Sequence, residues 1–302
     1  MASTSRLAKD LALKGSATTI PKLVYGTAWK KDQTADLVYK ALTNGFRAID
    51  TAAQPKHYNE KGVGQGVQRA IADGVAARDA LFIQTKFSPP VAQGENPPYR
   101  LDAPLADKVH QSVRSSLGYF TIPGHEPYLD SVVMHSPMDT IEETMTVWKT
   151  LESYVPDKIR NLGISNTTLQ VLQAINDQAT VKPSVVQNRF HDRTSYETDL
   201  RAYCRGENIV FQSFWTLSAN PNLFRAPPVR EVAEGAKSSP VAAYYALVLG
   251  LEGVTVLDGT TKEEHMKDDL EGIELVGAWA ERDGAAVWTS ALREFKGLIG
   301  EY

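Results

Sequence analysis

The sequence predicts an α/β fold in which eight parallel strands close into a (β/α)8 TIM barrel. Eight short runs rich in β-branched and apolar residues recur along the chain, separated by segments with helical spacing of apolar residues. Such alternation indicates parallel strands joined by right-handed crossovers, and eight units are the number that closes a barrel. The predicted strands are residues 23–29, 47–52, 81–87, 131–137, 159–165, 184–190, 209–215 and 254–260.

Two long irregular stretches interrupt this rhythm, residues 88–104 after the third predicted strand and residues 216–240 after the seventh. Both follow the C-terminal end of a strand, which is the face where barrel enzymes carry their active sites. Long loops inside a compact domain are usually functional, so we interpret these two as walls of a substrate or cofactor site. Their prolines indicate stiff loops.

Length and composition limit the choice of partners. The 302 residues fit one barrel domain spanning 1–302, and a formal net charge of −4 provides no basic surface for nucleic acid or an acidic membrane. The single cysteine, Cys204, cannot form an internal disulfide, and we find no secretory signal or apolar stretch of membrane-spanning length. We therefore expect a cytoplasmic monomer or homodimer that acts on a small molecule, without a metal site.

Four polar residues are the strongest functional signal. Asp50, Lys86 and His135 each come at the C-terminal end of a predicted strand, and Tyr58 lies in the loop after the first of them. A parallel barrel gathers these strand ends around one point. Each residue alone has a structural interpretation, as a helix cap, a solvated charge, a buried imidazole or a loop tyrosine. Their convergence favours a catalytic site.

The chemistry of such a set is proton donation. Tyrosine titrates near 10, so a nearby lysine ammonium would favour its ionised form, and a carboxylate would hold that lysine in place. Tyr58, Lys86 and Asp50 are predicted to fill these roles. His135 is predicted to donate a hydrogen bond to a substrate carbonyl oxygen.

The motifs that contain these residues resemble the aldo-keto reductases. GFRAIDTA, YNE, FIQTK, MHSP, NLGISN and VVQN follow one another across nearly the whole chain in the order of that family. The resemblance implies a (β/α)8 barrel whose floor is closed by an N-terminal β-hairpin before Lys22. It also implies reversible hydride transfer between a nicotinamide cofactor and an aldehyde or ketone, with Asp50, Tyr58, Lys86 and His135 as the catalytic residues.

The chain departs from the family pattern before the catalytic tyrosine. The family usually has this tyrosine about five residues after the aspartate, but that position is Pro55 here, and the aromatic residue comes three residues later within QPKHYNE. Since Asn59 and Glu60 follow it, we assign the role to Tyr58. His57 is the competing proton donor, and the motif is similar to that of a fungal subgroup carrying QPKHY.

The same resemblance implies a set of cofactor-binding residues. The positions that match are Gly26, Thr27, Asp50, Ser165, Asn166, Gln187, Ser213, Trp215, Thr260, Thr261 and Lys262. Ser165, Asn166 and Gln187 match residues that bind the nicotinamide carboxamide, although the first two could simply cap the following helix. Gln212 aligns with the family's ring-stacking tyrosine, so Trp215 is taken as the ring partner or as a substrate wall. Ser213 matches a pyrophosphate contact.

The expected cofactor is NADPH. Thr260 and Thr261 are predicted to cap a helix whose free N–H groups could hold the 2′-phosphate. The family's usual lysine and arginine align with Gly259 and His265, so Lys262 or Lys267 would have to replace them, and NADH remains an alternative. No GxGxxG turn follows a strand, since the nearest match, VGQGVQ, lies in a predicted helix.

The predicted function is NADPH-dependent reduction of a carbonyl compound. Substrate contacts are expected from Trp29, Tyr58, Phe87 and His135, with Tyr99 and Trp215 adding to an apolar pocket. One alternative is a cofactor-binding regulatory barrel of low turnover. Another is a cofactor-free hydrolase or isomerase, which would not bind a nicotinamide nucleotide.

Overall fold

The computed structural model describes residues 4–301 and confirms the predicted barrel. Its eight strands pair in parallel in the order β10-β3-β4-β5-β6-β7-β8-β9, and β9 pairs with β10 to close the ring. The strands are β3 (Leu23–Gly26), β4 (Ala48–Asp50), β5 (Phe82–Phe87), β6 (Ser131–Met134), β7 (Leu162–Ser165), β8 (Val185–Arg189), β9 (Val210–Phe214) and β10 (Val254–Asp258).

A β-hairpin precedes the barrel, also as predicted. Its strands, β1 (Leu11–Ala12) and β2 (Thr19–Ile20), pair antiparallel. Leu13 and Ile20 of this hairpin are buried against side chains from the beginnings of several barrel strands. The hairpin therefore covers the N-terminal end of the barrel, which we call the floor. The opposite end, where the strands finish, is the mouth.

Helices form the outer shell. They are α1 (Thr34–Thr43), α2 (Glu60–Ala72), α3 (Leu105–Tyr119), α4 (Ile141–Glu152), α5 (Leu169–Gln178), α6 (Thr198–Glu207), α7 (Pro221–Phe224), α8 (Pro227–Ala236), α9 (Pro240–Leu249), α10 (Glu263–Ala280) and α11 (Ala285–Leu298). Their buried faces pack with the outward strand side chains into one large hydrophobic core. Within residues 4–301, no helix combines the length and the apolar character that crossing a membrane requires.

The interior of the barrel changes from apolar to polar between floor and mouth. Alternate side chains of a strand face the interior. The floor layer contains Val24, Ala48, Phe82, Val185 and Val210. Two residues further along four of these strands, the interior layer is polar: Asp50, Gln84, Gln187 and Gln212. On three of these strands, the residue two positions further along lies at the mouth. These residues are Lys86, Arg189 and Phe214.

The structure differs from the sequence prediction in the stretch 216–240 and at the start of helix α10. The stretch 216–240 is not irregular throughout, because it contains α7 and α8. Pro221 and Pro227 begin these helices, at the first helical position, where a missing N–H costs nothing. The stretch 88–104 is irregular apart from one short 3-10 turn. The N-cap residue of helix α10 is Lys262, whose side chain makes no capping hydrogen bond, and not one of the two threonines before it.

Candidate active site

Asp50 and Lys86 form a buried ion pair at the mouth. The ammonium Nζ of Lys86 donates to Oδ2 of Asp50 at 2.5 Å and to the backbone oxygen of Thr51 at 2.8 Å. The two side chains are 1% and 0% exposed. Burial opposes the charged form of Lys86, but the Asp50 carboxylate and Tyr58 outweigh it, so the pKa of Lys86 is raised. The lysine therefore stays cationic at the mouth.

Asp50 is held from below by the glutamine layer. Its Oδ1 accepts hydrogen bonds from Nε2 of Gln84 at 2.7 Å and from Nε2 of Gln187 at 3.0 Å. The same two amide groups also donate to Oε1 of Gln212, at 2.7 and 2.8 Å. Buried amides need such partners, because an unpaired one would cost free energy. The layer therefore fixes the Asp50 carboxylate in orientation.

Tyr58 lies beside this ion pair. The Lys86 ammonium is 5.0 Å from the centroid of the Tyr58 ring, and the ring of His135 is 5.8 Å away in an edge-to-face arrangement. Burial raises the pKa of Tyr58, and the lowering effect of Lys86 does not overcome it. The phenol is consequently protonated in the free protein. It can act as a proton donor, with Lys86 positioned to stabilise the phenolate that forms.

His135 follows β6 and is neutral. Burial, with smaller contributions from Lys86 and His57, lowers the pKa of His135 to about 3. Its Nδ1 lies 2.6 Å from Oγ of the buried Ser88, and its backbone oxygen accepts from Nδ2 of Asn166 at 2.8 Å. A neutral imidazole carries one N–H. When the Ser88 hydroxyl donates to Nδ1, that N–H is at Nε2.

The predicted carboxamide-binding residues lie together at the ends of β7 and β8. Asn166 is exposed and adopts a left-handed backbone conformation, with φ of 51°. Its Nδ2 also donates to Oγ of Ser165, and the Ser165 hydroxyl donates to the backbone oxygen of Gln187 at 2.6 Å. The Oε1 of Gln187 accepts no hydrogen bond from residues 4–301, so it remains an acceptor at the mouth.

Gln212 cannot be a ring partner, because it is fully buried in the glutamine layer. Phe214 faces the interior two residues later, is half-buried and reaches the mouth. Trp215 is 53% exposed and left-handed, with φ of 57°. Ser213 faces the shell, where its hydroxyl lies 2.5 Å from that of Thr216. Strand alternation counted from Gln212 would have identified Phe214.

The predicted substrate residues separate into two groups. Trp29 is 65% exposed at the mouth, left-handed with φ of 64°, and its ring lies 4.1 Å from that of His57. Its backbone N–H donates to the His57 oxygen at 2.8 Å. Phe87 faces the shell instead and is buried against Tyr99, with ring centroids 5.7 Å apart. Trp29 therefore lies at the open mouth with Tyr58 and His135, and Phe87 does not.

The predicted 2′-phosphate region lies at the end of β10. Thr261 and Lys262 are exposed. Gly26 ends the neighbouring strand β3 and is followed by the buried Thr27. The first turn of α10 carries the acidic Glu263 and Glu264. Sequence reasoning missed Lys30. It is buried here and its ammonium donates to the Gly259 oxygen at 2.8 Å and to the Thr260 oxygen at 3.4 Å. Burial lowers the pKa of Lys30 to about 8.

Glu60 is a second residue that sequence reasoning left without a role. It is buried behind the mouth and accepts hydrogen bonds from Ser116 at 2.8 Å and from the Thr85 hydroxyl. Burial raises the pKa of Glu60 to about 7, against these bonds and the charge of Lys86.

A cavity of about 940 Å³ lies elsewhere, at the floor, and none of the four catalytic candidates lines it.

Comparison with known proteins identifies the family of the chain. A sequence profile described as the Aldo/keto reductase family matches residues 22–276. The chain therefore belongs to the aldo/keto reductase family, a family of oxidoreductases that act on carbonyl groups.

Two curated relatives are similar at the level of sequence. One is a glyoxal reductase of Bacillus subtilis, 30% identical over 243 residues, which are 80% of this chain and 78% of the relative. The other is an NADPH-dependent D-xylose reductase of Meyerozyma guilliermondii, 30% identical over 246 residues, which are 73% and 76% of the two chains. An aldo-keto reductase of the silkworm Bombyx mori, solved with NADP, shares the fold with a TM-score of 0.71 at 20% identity, covering 91% of this chain and 92% of that one.

Proposed function

We propose that this protein reduces an aldehyde or ketone to an alcohol with NADPH, and that Tyr58 is the general acid. The observation that carries the proposal is the convergence of Asp50, Tyr58, Lys86 and His135 at the barrel mouth. A protonated phenol beside a buried ammonium is suited to donate a proton to a carbonyl oxygen. Bound NADPH would supply the hydride.

The four residues divide the work between them. His135 donates its N–H to the substrate oxygen and orients it, since its neutral imidazole cannot act as a cation. Tyr58 donates its proton to the same oxygen. Lys86 stabilises the phenolate that results, and Asp50 keeps Lys86 charged and in position.

The mouth offers polar and aromatic groups that fit a nicotinamide nucleotide. Asn166 and the free Oε1 of Gln187 suit the carboxamide, with Ser165 positioning the asparagine. Phe214 offers a ring in the layer above Gln212, and Trp215 adds a second ring at the rim. Relatives whose names specify NADPH, and silkworm structures solved with NADPH or NADP, support this choice of cofactor.

Fewer residues support the preference for NADPH over NADH than support binding of the nicotinamide. Thr260, Thr261 and Lys262 would bind the 2′-phosphate, but Glu263 and Glu264 in the first turn of α10 repel an anion. Some relatives carry the name NAD(P)H-dependent reductase, and we expect use of both nucleotides, with NADPH favoured.

The substrate we propose is a small, polar aldehyde. The glyoxal and xylose reductases among the relatives support this class. Trp29 and His57 form a pair of tilted rings in contact, which would wall the carbonyl site on one side. The family resemblance also implies a substrate contact for Phe87 and a pyrophosphate contact for Ser213. Both side chains are buried and face the shell, so these two roles stay predictions.

The test is a direct assay with the purified protein. Oxidation of NADPH and of NADH is followed by absorbance, with glyoxal, D-xylose and an aromatic aldehyde as substrates, and nucleotide binding is measured separately by calorimetry. We expect turnover with at least one aldehyde, faster with NADPH. Binding without turnover would favour the regulatory alternative, and absence of binding would favour a cofactor-free barrel.

A further inference from the structure

Arg189 is a cation at the mouth to which sequence motifs gave no role. It is the last residue of β8, two positions after Gln187, so its side chain shares the interior face and reaches the rim. Its guanidinium lies 4.8 Å from the ring centroid of Trp215 and 5.6 Å from that of Phe214. It also donates to Oδ1 of Asn166 at 3.2 Å.

This guanidinium forms no ion pair within residues 4–301. Arg189 acts electrostatically on Glu197: burial raises the pKa of Glu197 overall, and the charge of Arg189 partly opposes this effect. Glu197 has Asn188 as its own hydrogen-bond partner. A half-buried guanidinium with one neutral acceptor and two aromatic neighbours leaves most of its five N–H groups available. An anionic ligand is the partner that would satisfy them best.

The residues that Arg189 connects are both conformationally strained. Asn166 and Trp215 have φ of 51° and 57°, in the left-handed region that non-glycine residues rarely adopt. Such residues cluster at ligand clamps, where the surrounding structure holds them in place. Arg189 bridges them, with the proposed carboxamide site on one side and the loop after β9 on the other.

We infer that Arg189 binds the pyrophosphate of the dinucleotide cofactor. This inference rests on the proposed function. In a dinucleotide one ribose separates the nicotinamide from the pyrophosphate, so a cation adjacent to Asn166 is suitably placed for that group. The planar guanidinium can bind two phosphate oxygens at once, and the Trp215 ring holds it in position. NADPH and NADH share the pyrophosphate, so Arg189 serves both.

The experiment compares Arg189→Met, which keeps the aliphatic stem, with Arg189→Lys, which keeps the charge but loses the planar fork. Dissociation constants for NADPH, NADH and reduced nicotinamide riboside, which has no phosphate, are measured by calorimetry. We expect Arg189→Met to weaken NADPH and NADH equally, by about ten- to a hundredfold, with a much smaller effect on the riboside. Arg189→Lys should recover part of the loss.

Arg193→Met is the matched control, because it removes the same charge from an exposed side chain four residues away. Thermal melting of each variant separates lost binding from lost folding. Unchanged dinucleotide affinity in Arg189→Met would overturn the inference. A loss confined to NADPH would also overturn it, since that would place the anion at the 2′-phosphate.

A third contrary result concerns the substrate. If Arg189→Met raised KM only for carbonyl compounds that carry a carboxylate, while both dinucleotides bound normally, the anion would belong to the substrate and the inference would be wrong. Failure of the wild-type protein to bind any nucleotide is a different outcome, which would overturn the proposed function and this inference with it.

Discussion

Two buried ion pairs at opposite ends of the barrel each join an aspartate to one basic side chain, but their surroundings differ. The floor pair is Arg78 with Asp130, 2.9 Å apart, and the mouth pair is Lys86 with Asp50, 2.5 Å apart. All four side chains are at most 2% exposed. Burial alone therefore does not indicate which pair has a function.

The partners of the floor pair are all structural. Arg78 donates to the backbone oxygens of Leu81 and Tyr128, and its guanidinium stacks 3.8 Å above the Tyr128 ring. Asp130 accepts from the backbone N–H of Ile83 and from Arg160. These bonds tie the beginnings of β5 and β6 together and give both carboxylate oxygens of Asp130 a protein partner.

The mouth pair is braced on one side only. The glutamine layer holds Asp50 from below, while the ammonium of Lys86 faces Tyr58 and the open end of the barrel. We infer that a buried ion pair can serve catalysis where its cation faces a titratable group at an open site, as Lys86 faces Tyr58.

The largest effect is expected when each cation is removed. Lys86→Met should reduce turnover about a hundredfold or more, because the phenolate of Tyr58 loses its partner. Both Lys86→Met and Arg78→Met should lower the free energy of unfolding by about 3–5 kcal/mol, since each leaves a buried carboxylate unpaired. Kinetics and denaturant unfolding of the two variants are compared, at a temperature where both are folded.

Arg78→Met serves as the control for stability, and it should keep near-normal turnover per folded molecule. Equal turnover losses in the two variants would contradict the distinction between floor and mouth.

The buried Glu60 behind the mouth predicts a pH dependence of stability. Its folded pKa of about 7 lies above the ordinary 4.5. The contribution of Glu60 to the free energy of unfolding is therefore fully present below pH 4.5. It is lost as the pH rises through 7, by about 3 kcal/mol at most. Glu60→Gln should abolish this loss, so the free energy of unfolding of the variant should rise relative to that of the wild type between pH 5 and pH 8.

Urea unfolding at several pH values measures the gain. Glu95→Gln, which alters an exposed loop carboxylate, is the control. A stability difference between Glu60→Gln and the wild type that did not change with pH would show that Glu60 does not titrate in this range.

A smaller effect is expected from Ser88→Ala. The Ser88 hydroxyl fixes the His135 ring by its contact with Nδ1 at 2.6 Å. Without it the N–H is no longer held at Nε2, so turnover should fall about tenfold, which corresponds to the loss of one hydrogen bond. Ser136→Ala is the matched control, because that hydroxyl contacts only the Pro137 oxygen. Similar turnover in Ser88→Ala and the control would exclude the positioning role of Ser88.

The order of strands and the four catalytic candidates were predictable because both are local signals. Each strand is a short apolar run, and each catalytic residue except Tyr58 ends one of them. The predicted strands were too long, however. The first was extended to Trp29, but the strand ends at Gly26, and the left-handed backbone of Trp29 is incompatible with a strand.

The surrounding contacts were not predictable from local patterns. The glutamine layer depends on the register of three strands far apart in sequence. The roles inferred for Ser88 and Arg189 depend on their contacts with residues that follow other strands. The VGQGVQ segment does lie in a helix, α2, as expected. Its glycines serve packing, because a Cβ on Gly66 would come within 2.6 Å of the Ala35 oxygen.

The most direct test of the account is Tyr58→Phe, which removes one hydroxyl and keeps the ring. Turnover and the NADPH dissociation constant are measured for this variant and for His57→Ala, which changes the adjacent candidate donor. The account predicts a loss of turnover of about a hundredfold or more in Tyr58→Phe with unchanged NADPH binding, and near-normal turnover in His57→Ala. Near-normal turnover in Tyr58→Phe together with its loss in His57→Ala would contradict the account, since the proton donor would then be His57.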